Sequence, residues 1–417
     1  MELKRVVVTG LGAISPLGNN LADTWQGLVS GVSGAAPITR FDATKFKTRF
    51  ACEVKNFNET EYLGRDARKM DLFTQFAIVA AEEAIRDSKL LEGELTKEEK
   101  DQIGVIWGTG IGGIKTYFEE ARDFALGDGT PRFSPFFIPK IIADIAPGHI
   151  SIRNGLGGPN FGTVSACASS TSALCVAFDL IRLGRATAIV SGGSEAPITV
   201  SGVGGFTSMK ALSSRNDDPT TASRPFDKTR DGFVIGEGGA GLVLEEYEHA
   251  KKRGAHIYCE LAGGGYSGDA HHITAPHPEG DGAARVMAAA LKDADLKPSD
   301  IDYINVHGTS TPLGDKGELL AVGRVFGDAA YKLNISSTKS MTGHLLGATG
   351  ALEAIACVKA IEEGVIPPTI NHFEDDPEID SKLNLTFNVA QHRTVRAAMS
   401  NTFGFGGHNG TLIFKAL

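Results

Sequence analysis

Phe161-Gly162-Thr163-Val164-Ser165-Ala166-Cys167-Ala168-Ser169-Ser170-Thr171-Ser172 is the stretch on which the reading of this chain turns. Residues 161–166 have the short, apolar, β-branched character of a strand. From 167 to 183 the residues are small and apolar on every face, which predicts a fully buried helix. Strand passes into helix with no loop between them, and Cys167 stands at the junction. A strand-to-helix turn of this kind presents its side chain while the helix N-terminus faces it. The free N–H groups there can stabilise an oxyanion, and the helix end can lower the pKa of a thiol. A free cysteine is more often inert packing, so Cys167 needs partners before it counts as a nucleophile. Cys175, two turns further on, reads as packing, and so do Cys52, Cys259 and Cys357 within strand or helix patterns.

Outward from this junction, two kinds of segment alternate. Short Val- and Ile-rich runs near glycines, at 6–8, 103–107, 188–190, 241–244 and 301–306, predict buried strands. Longer amphipathic or small-residue stretches at 72–90, 283–294 and 350–363 predict helices. Strands alternating with helices argue for a layered α/β fold. The chain has 417 residues, 22% of them charged and 42% hydrophobic, which excludes a disordered chain and a disulfide-dependent miniprotein. Its 51 glycines exceed the usual ~7% and cluster between apolar runs, as tight turns and close backbone approaches require. A charged helical stretch near 246–256 follows a strand and marks a division, giving halves at 1–254 and 255–417. Each half then carries candidate chemistry at a Gly-rich strand end, so an internal duplication is one reading of the pattern. Long loops at 127–139, 213–232 and 263–282 are of functional rather than merely connecting length.

The net charge of −9 makes sequence-independent nucleic-acid binding a poor reading. The five cysteines form no C-x-x-C pair, and their odd number and wide spacing suit free thiols in a reducing, cytoplasmic compartment. No leader pattern is visible in the opening MELKRVVVTGLG, and no run approaches 18 apolar residues, so neither export nor a membrane span is expected.

Two histidines stand where partners for Cys167 should be sought. His307 lies in Tyr303-Ile-Asn-Val-His307-Gly-Thr-Ser-Thr-Pro-Leu-Gly-Asp315, just after a predicted buried strand, and active-site groups of α/β sheets commonly sit at such strand ends. His344 lies in a Gly-flanked loop opening a helix, five residues after Lys339. A thiol nucleophile with two imidazoles is the set of parts for acyl transfer followed by carbanion chemistry. A fourth segment, Ser400-Asn-Thr-Phe403-Gly-Phe405-Gly-Gly-His408-Asn-Gly, sets two aromatic rings among glycines and reads as a movable gate or a plain turn between strands. Gly108-Thr-Gly110-Ile-Gly-Gly113 matches a dinucleotide fingerprint. The acidic residue that should close a following strand is missing, because Glu119, Glu120 and Asp123 fall in a helical stretch. His271, His272, His277 and Asp269 lack metal-ligand spacing. Neither a cofactor nor a metal is expected.

TVSACASS, NVHGTSTPLGD and KSMTGHLLGATGALEAI in this order, with VVVTGLGAISPLG at the start and NTFGFGGHNGTLIF at the end, resemble the β-ketoacyl-[acyl-carrier-protein] synthases along the whole chain. The likeness is greatest to the condensing enzymes of type II fatty acid synthesis. It implies a thiolase-like α/β fold, five layers in the order α-β-α-β-α, made of two similar halves with mixed sheets. It further implies decarboxylative Claisen condensation of malonyl-carrier with an acyl chain held on Cys167. His307 and His344 would serve malonyl decarboxylation and the enolate, so that loss of either leaves acylation and stops release of CO₂. Lys339 would hold the electrostatics of the site, with Glu353 in the following helix. Phe405 would be the aromatic gate, and its N–H and that of Cys167 would form the oxyanion hole. Ile111 would line the acyl pocket, and Thr309 and Thr311 would lie near the phosphopantetheine arm. His408 stands where many relatives have threonine, which leaves its role open. The implied partners are an acidic acyl carrier protein and a second copy of the chain. For the carrier, a positive patch of Arg65, Arg68, Lys69, Arg132 and Lys210 is expected. A polyketide-type ketosynthase with the same catalytic set is the alternative. A non-catalytic chain-length factor would lack the cysteine, and a thiolase would differ around the second-half motifs.

Overall fold

The computed structural model describes residues 3–417. Ten strands make one large mixed sheet: β1 (Val6–Ile14), β2 (Ile103–Gly108), β3 (Asn160–Thr163), β4 (Ala188–Glu195), β5 (Gly238–Glu246), β6 (Cys259–Gly268), β7 (Tyr303–Asn305), β8 (Asn334–Ser336), β9 (Ala397–Gly404) and β10 (His408–Lys415). Their spatial order is β3-β2-β4-β5-β1-β6-β10-β9-β7-β8. In the first five, β1 pairs antiparallel with β5 and β5 with β4, while β4–β2 and β2–β3 are parallel. In the second five, β6–β10 and β10–β9 are antiparallel, while β9–β7 and β7–β8 are parallel. The two sets have the same connectivity, each strand of the second answering the strand five earlier in the chain. Internal duplication, one reading of the sequence pattern, is thus written in the strand order. The expected two mixed sheets are these two sets, joined by a short antiparallel ladder of Val6, Val7 and Val8 against Leu261, Glu260 and Cys259.

Four helices supply the other layers: α1 (Leu72–Ser88), α2 (Ser169–Arg182), α3 (Asp281–Asp293) and α4 (Thr349–Glu363). Beyond the shared ladder the two sheets part, and α2 and α4 lie side by side between them. α2 touches β4 and β2 on one side and β6 and β10 on the other, while α4 touches β9 and β7 and also β5 and β4. α1 covers the outer face of the first sheet and α3 that of the second. The sequence of layers is therefore α1, sheet, α2 with α4, sheet, α3. The largest core lies in the middle layer, where Leu174, Phe178, Leu352, Ile355 and Val358 meet the inner faces of both sheets. The first turns of α2 are enclosed and have no polar face to spare, while the expected full burial fails at its end, where Asp179 and Arg182 reach solvent and pair at 3.0 Å.

Glycine does particular work where helix meets sheet. A Cβ on Gly12 of β1 would lie 2.2 Å from the carbonyl oxygen of Ala80 in α1, so strand and helix backbones almost touch there. β1 has left β6 by this point, and the N–H groups of Leu11 and Ala13 instead donate to Asp87 and Glu83 of α1, both at 2.8 Å. The same device corrects one expectation. Residues 263–268, taken with the loop 263–282, are the end of β6. Their glycines look like loop punctuation, yet a Cβ on Gly263 or Gly265 would come within 2.7 Å of the backbone of 286–294. Glycine here serves close packing within a strand.

Gly12→Ala is expected to lower stability by about 1–3 kcal/mol through overpacking. Gly323→Ala, in an exposed helical position with open space around the new Cβ, should raise it by up to about 1 kcal/mol. Urea denaturation midpoints at unchanged slope check both, and equal midpoints would refute the close-approach argument.

Candidate active site

Cys167 sits in the turn between β3 and α2, two residues ahead of the first helical residue. The turn is sharp because Ala166 adopts a left-handed conformation, φ 51°, which is costly for a residue with a Cβ. Ser169 holds it by accepting from the N–H of Ser165 at 3.0 Å and donating to the carbonyl of Ala166 at 2.7 Å. Gly404, at the end of β9, passes so close that a Cβ there would lie 2.7 Å from the oxygen of Ser165. The N–H groups of Phe405 and of Cys167 then face the sulfur.

The second half brings the imidazoles. His344 is fixed by its backbone, the N–H donating to Val234 at 2.7 Å and the carbonyl accepting from Gly236 at 2.8 Å. Its ring reaches across the boundary between the halves, with Nε2 3.0 Å from Cys167 Sγ and Nδ1 3.0 Å from Thr349 Oγ1. Phe233 packs edge-on against this ring at 5.3 Å. His307, two residues beyond β7, stands perpendicular to His344 with ring centroids 5.3 Å apart, and Phe403 packs on it at 5.6 Å. The carboxylate of Glu318 anchors the backbone beneath, accepting from the N–H of His307 and of Gly308, each at 2.8 Å. Behind the two histidines Lys339, 1% exposed, pairs with Glu353.

Burial governs the protonation states. It pushes the Cys167 thiol up to about 12, against the opposing pull of Lys339 and the facing N–H groups. The lowering expected from the helix N-terminus is therefore outweighed, because desolvation penalises a thiolate more than those N–H groups favour it. Burial, reinforced by Lys339, holds His344 well below the usual histidine range, and the same causes together with His344 do so for His307. Sulfur and both rings are thus neutral. Burial also raises Glu318 to about 7 and Glu353 to about 8, the latter despite Lys339.

A cavity of about 570 Å³ opens onto Cys167, His307 and His344. Ile111, Thr309, Thr311, Phe405 and Lys210 also line it, so these eight expected site residues converge. Lys339 lies just behind. Thr309 and Thr311 share a hydroxyl contact at 3.1 Å. The loop of Phe405 is held down at Gly406, whose N–H donates to Ile273 at 2.7 Å, and at Gly407, which accepts from Asp269 at 2.9 Å. The remaining basic residues do not converge on the cavity. Arg65, Arg68 and Lys69 are exposed on a two-turn 3-10 helix, Gly64–Lys69, in which Lys69 pairs with Asp66 at 2.7 Å, and Arg132 pairs with Asp128 at 3.2 Å. His408 is exposed at the start of β10. Sequence reasoning passed over Glu318, Glu195 and Phe233. The available signal for Glu318 was an acidic residue three positions after Asp315, on the helical face that also carries apolar Leu319 and Val322. Among the described residues no cluster of three metal-ligating side chains occurs, and no helix is long and apolar enough to cross a membrane.

Residues 3–250 match the family model of the β-ketoacyl synthase N-terminal domain, and residues 258–373 match that of its C-terminal domain. The chain is 53% identical over 418 residues to a 3-oxoacyl-[acyl-carrier-protein] synthase 2 of Synechocystis sp., covering 100% of this chain and 99% of the relative. It superposes on a β-ketoacyl synthase from Burkholderia phymatum with a TM-score of 0.91 at 34% identity, covering 99% and 100% of the two chains. A type II polyketide ketosynthase, solved bound to a hexaketide and in complex with its acyl-carrier protein, gives 0.89 at 33% identity with 100% of both chains covered. A cysteine at a strand-to-helix elbow, two neutral imidazoles from the other half and full-length likeness agree: the chain belongs to the β-ketoacyl synthase family.

Proposed function

We propose that this protein is a 3-oxoacyl-[acyl-carrier-protein] synthase of fatty acid elongation in which Cys167 carries the growing chain. The observation that supports it most directly is His344 Nε2 at 3.0 Å from Cys167 Sγ with His307 at right angles beside it, in one cavity. In the first half-reaction Sγ attacks the acyl-carrier thioester as His344 Nε2 takes the thiol proton. The N–H groups of Cys167 and Phe405 receive the oxyanion, and the carrier leaves as its thiol with that proton. In the second, malonyl-carrier loses CO₂, and the electron pair of the broken C–C bond becomes an enolate held by N–H donors on the two neutral rings. The enolate carbon attacks the Cys167 thioester, giving 3-oxoacyl-carrier and expelling the sulfur as thiolate, which takes a proton from solvent to return as the thiol. The hydroxyl of Thr349 can donate to or accept from His344 Nδ1, so that ring can offer Nε2 as acceptor in one half-reaction and as donor in the other. Burial, reinforced by Lys339, keeps both rings neutral, and Glu353 accepts a hydrogen bond from the Lys339 side chain.

This reading separates the histidines and departs from the expectation that loss of either would leave acylation intact, because only His344 touches the sulfur. His344→Ala removes the base for a thiol whose pKa stands near 12, so acylation at pH 7 should slow by about 10²–10⁴. Below that pKa each unit of pH yields tenfold more thiolate, so the defect should shrink as pH rises toward 10. His307→Ala should acylate like wild type and lose CO₂ release. Mass spectrometry of Cys167 and trapped CO₂ from malonyl-carrier read the two steps, and a pH-independent acylation defect in His344→Ala would refute the base role.

The acidic carrier would dock over Lys210, at the cavity mouth, with Arg65, Arg68, Lys69 and Arg132 as outlying contacts. The double variant Arg68→Glu and Lys69→Glu should raise KM for carrier-bound substrate and leave turnover of a small thioester unchanged. An unchanged KM for carrier substrate would remove these two residues from the docking surface.

We also infer a two-fold homodimer. β3 ends the sheet with a free edge, and Phe161 and Val164 there are 40% and 62% exposed. Leu126, on the helix Ile114–Leu126 that the chain forms between β2 and β3, is 81% exposed. A bare apolar edge invites pairing, and a second copy related by a two-fold satisfies both edges at once. The double variant Phe161→Asp and Val164→Asp should sediment as a monomer at concentrations where wild type is dimeric. A dimeric variant would place the interface elsewhere. Halves at 1–254 and 255–417 fit a duplicated enzyme, and five buried unpaired cysteines fit a reducing cytoplasm.

A further inference from the structure

Glu195, the last residue of β4, is fully buried, and the half-reactions above do not use it. Its carboxylate has four hydrogen-bond partners, none of them a cationic side chain. Oε1 accepts from Thr109 Oγ1 at 2.8 Å and from the N–H of Ile111 at 3.1 Å. Oε2 accepts from the N–H of Gly110 at 2.6 Å and of Gly347 at 2.9 Å. Burying a carboxylate without a counter-charge is expensive, so its retention here asks for a reason.

The duplicated fold shows what this site is. Leu346 has φ 47° three residues before α4, as Ala166 has φ 51° three residues before α2. Gly347 is therefore the counterpart of Cys167, and its N–H the counterpart of the N–H that faces the sulfur. Glu195 ends β4 as Gly404 ends β9. The second half has an elbow of its own, and a carboxylate plugs it. Missing Cβ atoms make the room: one on Gly110 would lie 2.8 Å from Oε2, and one on Gly347 2.6 Å. Gly110 and Ile111 belong to the cavity wall beside Cys167, and Gly347 to the turn between His344 and Thr349.

We propose that Glu195 is a positioning residue for acyl-chain selection: by tying the N–H groups of Gly110 and Ile111 to that of Gly347 through one carboxylate, it fixes the Ile111 wall relative to Cys167 and so sets which chain lengths reach the sulfur. The proposal rests on reading the cavity as the acyl site.

Glu195→Gln is nearly isosteric and tests the tie itself. With its amide nitrogen at the Oε1 position it can still donate to the Thr109 hydroxyl, but it confronts the N–H of Ile111. The opposite orientation confronts two N–H groups. The favoured orientation thus frees Ile111 and leaves Gly110 and Gly347 held. Cys167 acylation is followed by mass spectrometry with acyl-carrier thioesters from hexanoyl to palmitoyl. The ratio of long-chain to short-chain rates should change on the order of tenfold in the variant. Gly110→Ala, which pushes on Oε2 from the loop side, should move the same ratio and serves if Glu195→Gln does not fold. A uniform loss at every length, as a purely structural role would give, overturns the proposal, and so does an unchanged profile. Absence of Cys167 acylation in the wild-type protein would instead overturn the condensing-enzyme reading.

Discussion

The contact between Cys167 Sγ and His344 Nε2, 3.0 Å across the boundary of the two halves, is what the rest of the molecule has to maintain. The sulfur is set by its own half, while the ring is anchored to the other half. The sulfur depends on a left-handed Ala166 held by Ser169, and the ring depends on backbone bonds to Val234 and Gly236. Setting α2 and α4 side by side between two sheets brings the two elbows together, so the packing of the middle layer is a precondition of the chemistry.

Desolvation then selects a neutral mechanism. A thiol and an imidazole this deeply buried do not form an ion pair at rest, because charge separation in a dry site costs more than the pair recovers. In the proposed mechanism the proton moves when the thioester carbonyl is present to take up negative charge and N–H groups stand ready for it. Lys339 contributes from behind: its charge adds to burial in disfavouring protonation of both rings, which in the proposed mechanism leaves them able to donate to an enolate. Glu318 acts on the backbone of His307 and Gly308, which leaves the ring of His307 free to face the cavity.

Much of this was legible in the sequence because the decisive features are local. The strand-helix junction at 161–172, the Gly-flanked loop of His344 and the strand end before His307 announce themselves through residue type and spacing. Cys167, His307 and His344, so identified, line one cavity with five further residues that the family resemblance implied. What misled was equally physical. Gly263 and Gly265 read as loop glycines, although they are strand residues that accommodate α3. A helix end can lower the pKa of a thiol, and burial, a tertiary quantity, outweighs that effect at Cys167. The basic cluster of Arg65, Arg68 and Lys69 carries its own acidic partner, Asp66, and lies away from the cavity within one subunit.

Sequence alone determined the alternation of strands and helices, the candidate nucleophile and its candidate histidines, and the family that their order resembles, because each is carried by a few adjacent residues. Tertiary structure decided the rest. The equivalence of the halves appears only when strand order can be compared. The split between a ring touching sulfur and a ring beside it depends on distances between residues 140 or more positions apart. Glu195 and Glu318 stand out beside the site because folding removed the water around them and left mainly backbone N–H groups as their hydrogen-bond partners, a circumstance that no spacing of letters encodes.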